Sequence, residues 1–295
     1  MAGDFTTVDL SQLVAPGVVE TLDFEAILAA MVADLQARDA TFTALVESDP
    51  AYKVLEVAAY REILIRQRVN EAAKAVMLAY AARTDLDQIG ANFNVERLVV
   101  DEGDPDAVPP VPPTYETDTA FRARIQLALE GITTAGSEGS YVFHGLSADG
   151  DVRDIQAISP EPGDVEVYVL AHSGDGTAST ELVNTVTAAL NAQDVRPLTD
   201  NVTVQTAMIV EYSVDATLEI ENGPDPDVVL AAAEEAVTTY VEQIRRIGYT
   251  IPLSGLFAAL HQPGVRKVTL ASPSADVEIE DGEAGYCASI AVAQA

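Results

Sequence analysis

The chain has 295 residues, 48% of them hydrophobic, with 47 acidic against 16 basic side chains and a net charge of −31 at pH 7. So much apolar sequence argues against a disordered chain, and the length suffices for two or three domains, each with a core. The acidic field argues against nucleic acid and anionic membrane as direct partners, and the lone Cys287 excludes an intramolecular disulfide or a CxxC metal site.

The segment Met1 to Gly17 is polar and irregular, an arm that needs something to lie against. It has no basic region followed by an apolar stretch, and nowhere does the chain approach the ~18 uninterrupted apolar residues of a membrane span, so it reads as cytosolic and soluble. Thr21 or Asp23 can cap a helix with Phe24, Ile27, Leu28, Met31, Val32 and Leu35 on one broad face, ending near Ser48-Asp49-Pro50. A longer helix is predicted from about Tyr52 to Ala82, free of Gly and Pro. Within it Ile65, Val69, Ala72, Val76 and Ala79 keep a repeat of about 3.5 residues, while Leu55, Tyr60, Ile63 and Leu64 put apolar surface on other sides. One facing helix cannot cover all of that: the helix is expected to be buried in a bundle, with partner chains covering at least part of its surface as the sharper alternative. Phe24, Ile27, Met31, Ile65, Val69 and Val76 are the candidate interface.

Asp85 can cap a short helix with Leu86 and Ile89. The run DEGDPDAVPPVPP, Asp101 to Pro113, then marks a boundary, as a semi-rigid spacer or an exposed loop. Next comes the block Tyr115 to Pro160. Thr117 is placed to cap a helix whose inner face holds Phe121, Ile125, Ala128 and Leu129, with Arg122 and Arg124 pointing elsewhere and Gly131 ending it in the left-handed region. The loop ITTAGSEGS leads to a second short helix at Ser140 to Leu146, and Val152 to Ile158 reads as a strand stopping at Pro160.

Val165 to Leu170 alternates as a half-buried strand. HSGDGTAST leads into a helix with Leu182, Val186 and Leu190 inward, and strands follow at Val202 to Gln205 and Ile209 to Ile220. After Asn222-Gly223-Pro224, a helix from about Asp227 to Arg245 carries Val229, Ala233, Val237 and Val241 on its inner side. VRDIQAISP at 152–160 and VRKVTLASP at 265–273 match in Val, Arg, Ser and Pro at identical spacing, and each follows a short apolar helix, YVFHGL or GLFAAL. Duplication of one α+β unit would explain this, provided the strand order is the same in both.

The expected fold class is α+β, an N-terminal helical bundle region followed by two similar small α+β units. The expected division is 1–100 for arm and helices, 101–114 for the acidic linker or loop, 115–208 for the first α+β domain and 209–295 for the second, a dimerisation candidate.

Chemical motifs are sparse. SGDGTAST lacks the lysine of a phosphate-binding loop and reads as a turn capping a helix. Asp149, Asp151 and Asp154 lack the ligand spacing and distal Glu of a calcium loop. His144, His172 and His261 form no metal-binding pair, and Ser140 with His144, one helical turn apart, lacks a nucleophile elbow or an orienting acid. No catalytic, cofactor-binding or metal residues are assigned.

Four segments together resemble one family: VVETLDFEAILAAMVADL, TDLDQIGANFNV, ETDTAFRARIQLALEGITTAGSEGSYVFHGL and DVRPLTDNVTVQTA. Their order and spacing are similar to baseplate assembly protein J of contractile-tailed phages and related injection systems. The resemblance implies a non-enzymatic wedge subunit present twice per wedge, located in the tail baseplate of the virion and in host cytoplasm during assembly. Its N-terminal helices would join a bundle with a smaller wedge protein, and its C-terminal domain would pair with another copy to close a ring around the hub. Contacts to sheath-initiator and hub proteins, no cofactor, and a relay of the trigger for sheath contraction complete that expectation. The alternatives are a cytosolic acidic enzyme and an acidic mimic of nucleic acid.

Overall fold

The computed structural model describes the chain except residues 1–7, 11–12, 15, 43–44, 133–135 and 224. The centre of the ITTAGSEGS loop and Pro224 therefore lie outside the described residues. The chain divides into a helical unit, Thr6–Glu96, and a mixed unit built on Arg97–Ala295. The fold is α+β, with N-terminal helices followed by two similar small β-rich units. None of the described helices is long and apolar enough to cross a membrane.

In the helical unit, α1 (Phe24–Arg38) starts at Asp23, whose carboxylate accepts the amides of Glu25 at 2.9 Å and Ala26 at 3.2 Å. It ends at Arg38, ten residues short of the expected stop, and a short 3₁₀ turn at Ala40–Phe42 follows. Helix α2 (Pro50–Ala75) opens with proline at its first position, where no amide partner is lost. It also stops early: Val76 leaves the helix and the chain coils back through Met77 and Tyr80, burying Ala81 and, in α3 (Thr84–Asn92), Leu86. Tertiary burial thus overrides a local sequence that contains no breaker. Asp85 lies inside the first turn of α3, behind a backbone reversal at Arg83 with φ 52°, and is not its cap. The segment before α1 is fixed to α2 by Asn70, which accepts the Glu20 amide at 3.0 Å and donates to the Glu20 carbonyl at 2.8 Å.

The mixed unit begins with β1 (Val99–Asp101) antiparallel to β2 (Thr114–Tyr115). Paired hydrogen bonds of 2.9 Å between Asp104 and Val111 close the proline-rich run at its base, so it is an exposed loop with joined ends and not an extended spacer. Helix α4 (Asp118–Leu127) is capped by Thr117 and buries Phe121 and Ile125 as expected, but Leu129 is exposed. Arg124 is buried, contrary to its expected outward position. Its Nε donates to Glu116 Oε2 at 3.1 Å, a second guanidinium nitrogen binds Glu116 Oε1, and Nη1 donates to Ser147 Oγ at 3.1 Å. A charge on an inward position is stable there because its partner sits at the end of β2.

Helix α5 (Glu138–Leu146) leads into β3 (Val152–Ile158), which pairs antiparallel with β4 (Asp164–Ala171). Helix α6 (Thr180–Leu190) then crosses over to β5 (Asn201–Thr206), parallel to β4. Leu182, Val186 and Leu190 all face this core. Gly131 does not end α4 with a positive φ. It lies in a 3₁₀ turn where a Cβ would come within 2.2 Å of the Phe143 ring, so close packing is what favours glycine here.

The second sheet is centred on β6 (Met208–Ile220). Helices α7 (Pro226–Gln243) and α8 (Leu253–Leu260) cover it, β7 (Val265–Ser272) flanks it antiparallel and β8 (Glu283–Gln294) flanks it parallel. Both sheets therefore contain one antiparallel and one parallel pair. Their orders differ, β3-β4-β5 against β7-β6-β8: the chain enters the first sheet at an edge and the second at its centre. A simple tandem duplication would keep one path, so the matched VR…SP strands mark a shared local environment and not a repeated unit.

Polar groups lock the two sheets together. Gln156 donates to Asp281 Oδ1 at 2.9 Å and accepts the Gly282 amide at 2.7 Å, while Gly282, at φ 78°, lies where a Cβ would strike the Tyr168 ring. Asp154 Oδ2 accepts the Ile247 amide at 2.9 Å, and Arg153 Nε donates to the Arg245 carbonyl at 3.0 Å.

His172 sits beside this joint, near Asp151 and Glu242, where burial and then the Arg153 charge hold its pKa below the ordinary value. Burial also lowers that of His144, against a hydrogen bond to the Gly131 backbone. Their neutral forms are favoured in the fold, so this stability is present above the unfolded histidine value of about 6.5 and is lost as pH falls through the folded values. Urea unfolding midpoints should therefore drop between pH 7.5 and 5.5, with a shallower slope for His172→Gln; an equal slope in the variant would contradict the assignment.

Candidate assembly surfaces

The described residues converge on no chemical centre. Asp149 accepts the Asp151 amide, Asp151 binds Ser173, and Asp154 binds the Ile247 amide, so the three carboxylates of the Asp-rich segment serve different turns. Among the described residues no group of His, Cys, Asp or Glu could hold a metal ion. In the glycine-rich segment Asp175 accepts the Thr177 amide and Ser179 caps α6, matching the turn expected there.

The surfaces are more informative. Val54, Val57, Leu64, Ile65 and Val69 on α2 are 68, 62, 39, 65 and 55% exposed. With 3.6 residues per turn they fall within a ridge roughly 140° wide, far from the side on which Ala59 is buried. Arg61 and Arg68 lie within the same ridge, and no acidic residue does. An apolar ridge of several turns, left uncovered by its own unit, is the pattern of a helix completed by other chains.

The six candidate interface residues divide. Ile65 and Val69 are on this ridge, and Val76, 76% exposed, sits just beyond the end of α2. Phe24, Ile27 and Met31 are half-buried on α1, beside fully buried Leu28, on the side that packs against α2. Val54 and Val57, absent from the candidate set, belong to the ridge; their three-residue spacing ahead of Arg61 and Leu64 was the available signal.

A second surface is the edge of the second sheet. Beyond the bridge from Ile247 to Ala284, the outer edge of β8 has no strand partner among the described residues. From Ala284 to Ala295 the sequence contains no charge and no proline, the two commonest guards of an open edge.

Models of three baseplate J-like domains match the chain in order: the N-terminal domain at residues 47–104, the central domain at 133–206 and the C-terminal domain at 212–293. Baseplate protein J of Escherichia phage P2 is 48% identical over 287 residues, which cover 95% of each chain. The chain belongs to the baseplate protein J family. It is on that ground a structural baseplate protein of the phage-tail type, and the exposed α2 ridge lies within the segment matched by the family's N-terminal domain. A chain in the cryo-EM structure of the anti-feeding prophage (AFP) baseplate, 6-fold symmetrised, overlays 60% of this baseplate J chain with a TM-score of 0.42 and 14% identity. The overlay covers 44% of that chain, so the baseplate J protein spans less than half of it.

Proposed function

We propose that this baseplate J chain is a non-enzymatic wedge subunit of a contractile tail. It forms a ring around the hub, in two copies per wedge, together with a smaller wedge protein. The observation that carries this reading is the α2 ridge: a family member whose longest helix exposes Val54, Ile65 and Val69 presents a contact surface and not a reaction centre. Residues 1–100 would form the helical wedge part, 101–114 a loop, 115–208 the first α+β domain, and 209–295 the second, whose uncharged β8 edge suits pairing with another copy. The protein would reside in the virion baseplate after assembly in host cytoplasm, touching sheath-initiator and hub proteins. It would relay the trigger for sheath contraction by exchanging one set of subunit contacts for another.

Co-expression with each smaller protein of the same tail, followed by affinity purification and light scattering, tests this reading. A stable complex with one smaller wedge protein is expected. A chain that stays a clean monomer at high concentration and retains none of them contradicts it.

A further inference from the structure

Asn222 and Gly223 lie in the turn between β6 and α7, and both are exposed. The turn is tied at its two ends: the Glu221 amide donates to the Gly264 carbonyl at 2.9 Å, and Asp225 caps α7 by accepting the Asp227 amide at 3.1 Å. Between those ties neither the Asn222 side chain nor the Gly223 amide has a hydrogen-bond partner among the described residues. Gly223 has φ 127°, and a Cβ there would meet nothing within 4 Å, so both residues are free to change conformation. The other asparagines lack this freedom. Asn70, Asn92 and Asn184 lie in helices, Asn201 in β5 donates to Asp164 at 3.1 Å, and Asn191 donates to the Thr187 carbonyl at 3.0 Å. After Asn94, the Val95 amide is held by the Gly90 carbonyl at 3.0 Å. Aspartates that precede glycine are held as well: Asp149, Asp175 and Asp281 accept the Asp151 amide, the Thr177 amide and the Gln156 side chain.

We infer that Asn222 is a site of spontaneous deamidation. Asparagine is among the thermolabile side chains, and a following glycine leaves the next backbone nitrogen unshielded. The Gly223 nitrogen gives up its proton and attacks Cγ of Asn222; the new C–N bond closes a five-membered succinimide, and the side-chain nitrogen leaves as ammonia. Water then adds to one of the two imide carbonyls and a ring C–N bond breaks. Opening at Cγ gives aspartate, and opening at the main-chain carbonyl gives isoaspartate, in which the backbone runs through the β-carbon. The sum is one amide and one water converted to one carboxylic acid and ammonia. The chain becomes one unit more negative, in a turn that already holds Glu221, Asp225 and Asp227. Chains held before assembly therefore separate slowly into charge forms. The reaction needs only water and stands apart from the wedge reading.

Incubation of the folded full chain in mildly alkaline buffer over days, followed by peptide mapping and anion-exchange chromatography, tests the site. The peptide spanning Asn222 should gain one mass unit and split into an aspartate and an isoaspartate form, while the peptides of the other asparagines stay unchanged. A protein isoaspartyl methyltransferase, added as a probe, should methylate the second form, and a more acidic chain should elute in step. The folded chain should react within a fewfold of the rate of a synthetic peptide of residues 218–227, since the fold leaves this turn free. Asn222→Gln, which would have to close a six-membered ring, should lose the reaction with its circular dichroism unchanged. A folded chain whose Asn222 stays intact while the peptide reacts, or whose first mass gain falls at another asparagine, overturns the inference.

Discussion

Replacing Arg124 with alanine should lower the melting temperature by about 10 °C, from a loss of roughly 3–5 kcal/mol spread over a unit of this size. Glu116 and Arg124 are 8% and 4% exposed, so removing the guanidinium leaves a carboxylate shut away from water. That carboxylate also accepts the Leu98 amide at 2.9 Å, which ties β1 to α4. Arg97 extends the cluster: it donates to the Glu116 carbonyl at 2.9 Å, pairs with Asp118 at 2.8 Å, and lies 4.7 Å from the centre of the Phe121 ring. The double variant Glu116→Leu with Arg124→Met removes both charges and should recover a large part of the loss, because desolvation offsets much of what a buried pair contributes. Calorimetric melts of Arg124→Ala and of the double variant check this. A melt of Arg124→Ala within 2 °C of wild type would contradict the burial of the pair.

The sequence made this cluster hard to see for a physical reason. Helical periodicity places Phe121 and Ile125 inward from their spacing alone, and both are buried. Arg124 adjoins that face, and periodicity assigns any charge there to solvent; only the tertiary position of Glu116 reverses the preference. Helix ends show the same division. Asp23, Thr117 and Ser179 announce their caps because the hydrogen bond is local, whereas the end of α2 at Ala75 is set by the burial of Ala81 and Leu86 further along. The strands of both sheets were legible from alternation, but β7-β6-β8 could not be read from it, since strand order depends on where α7 and α8 carry the chain. The exposed ridge was legible in part. A residue's spacing gives its face, yet Ile65 and Met31 each sit on an apolar helical stripe, and only packing distinguishes the exposed one from the half-buried one.

The second large effect concerns assembly and leaves folding intact. Ile65→Asp with Val69→Asp places two carboxylates on a ridge that is more than half exposed, so helix content and melting temperature should stay within the ordinary surface range of about 0.5 kcal/mol. Anchors in the centre of an interface each carry about 2 kcal/mol or more, so the pair should weaken any contact made by α2 by at least about a thousandfold. Complementation of a phage lacking its own copy of the gene, scored as completed tails by electron microscopy, reads this directly. The control Val108→Asp lies on the 97% exposed tip of the proline-rich loop and should complement normally. Tails assembled at wild-type yield by the α2 variant would remove the ridge from the assembly pathway.

We expect the exposed face of α2 to be a subunit contact in the baseplate. A cryo-EM map of the assembled tail tests it most directly. Val54, Val57, Leu64, Ile65 and Val69 are expected to be buried there against helices of neighbouring chains. A map in which these side chains face solvent throughout the baseplate would contradict it.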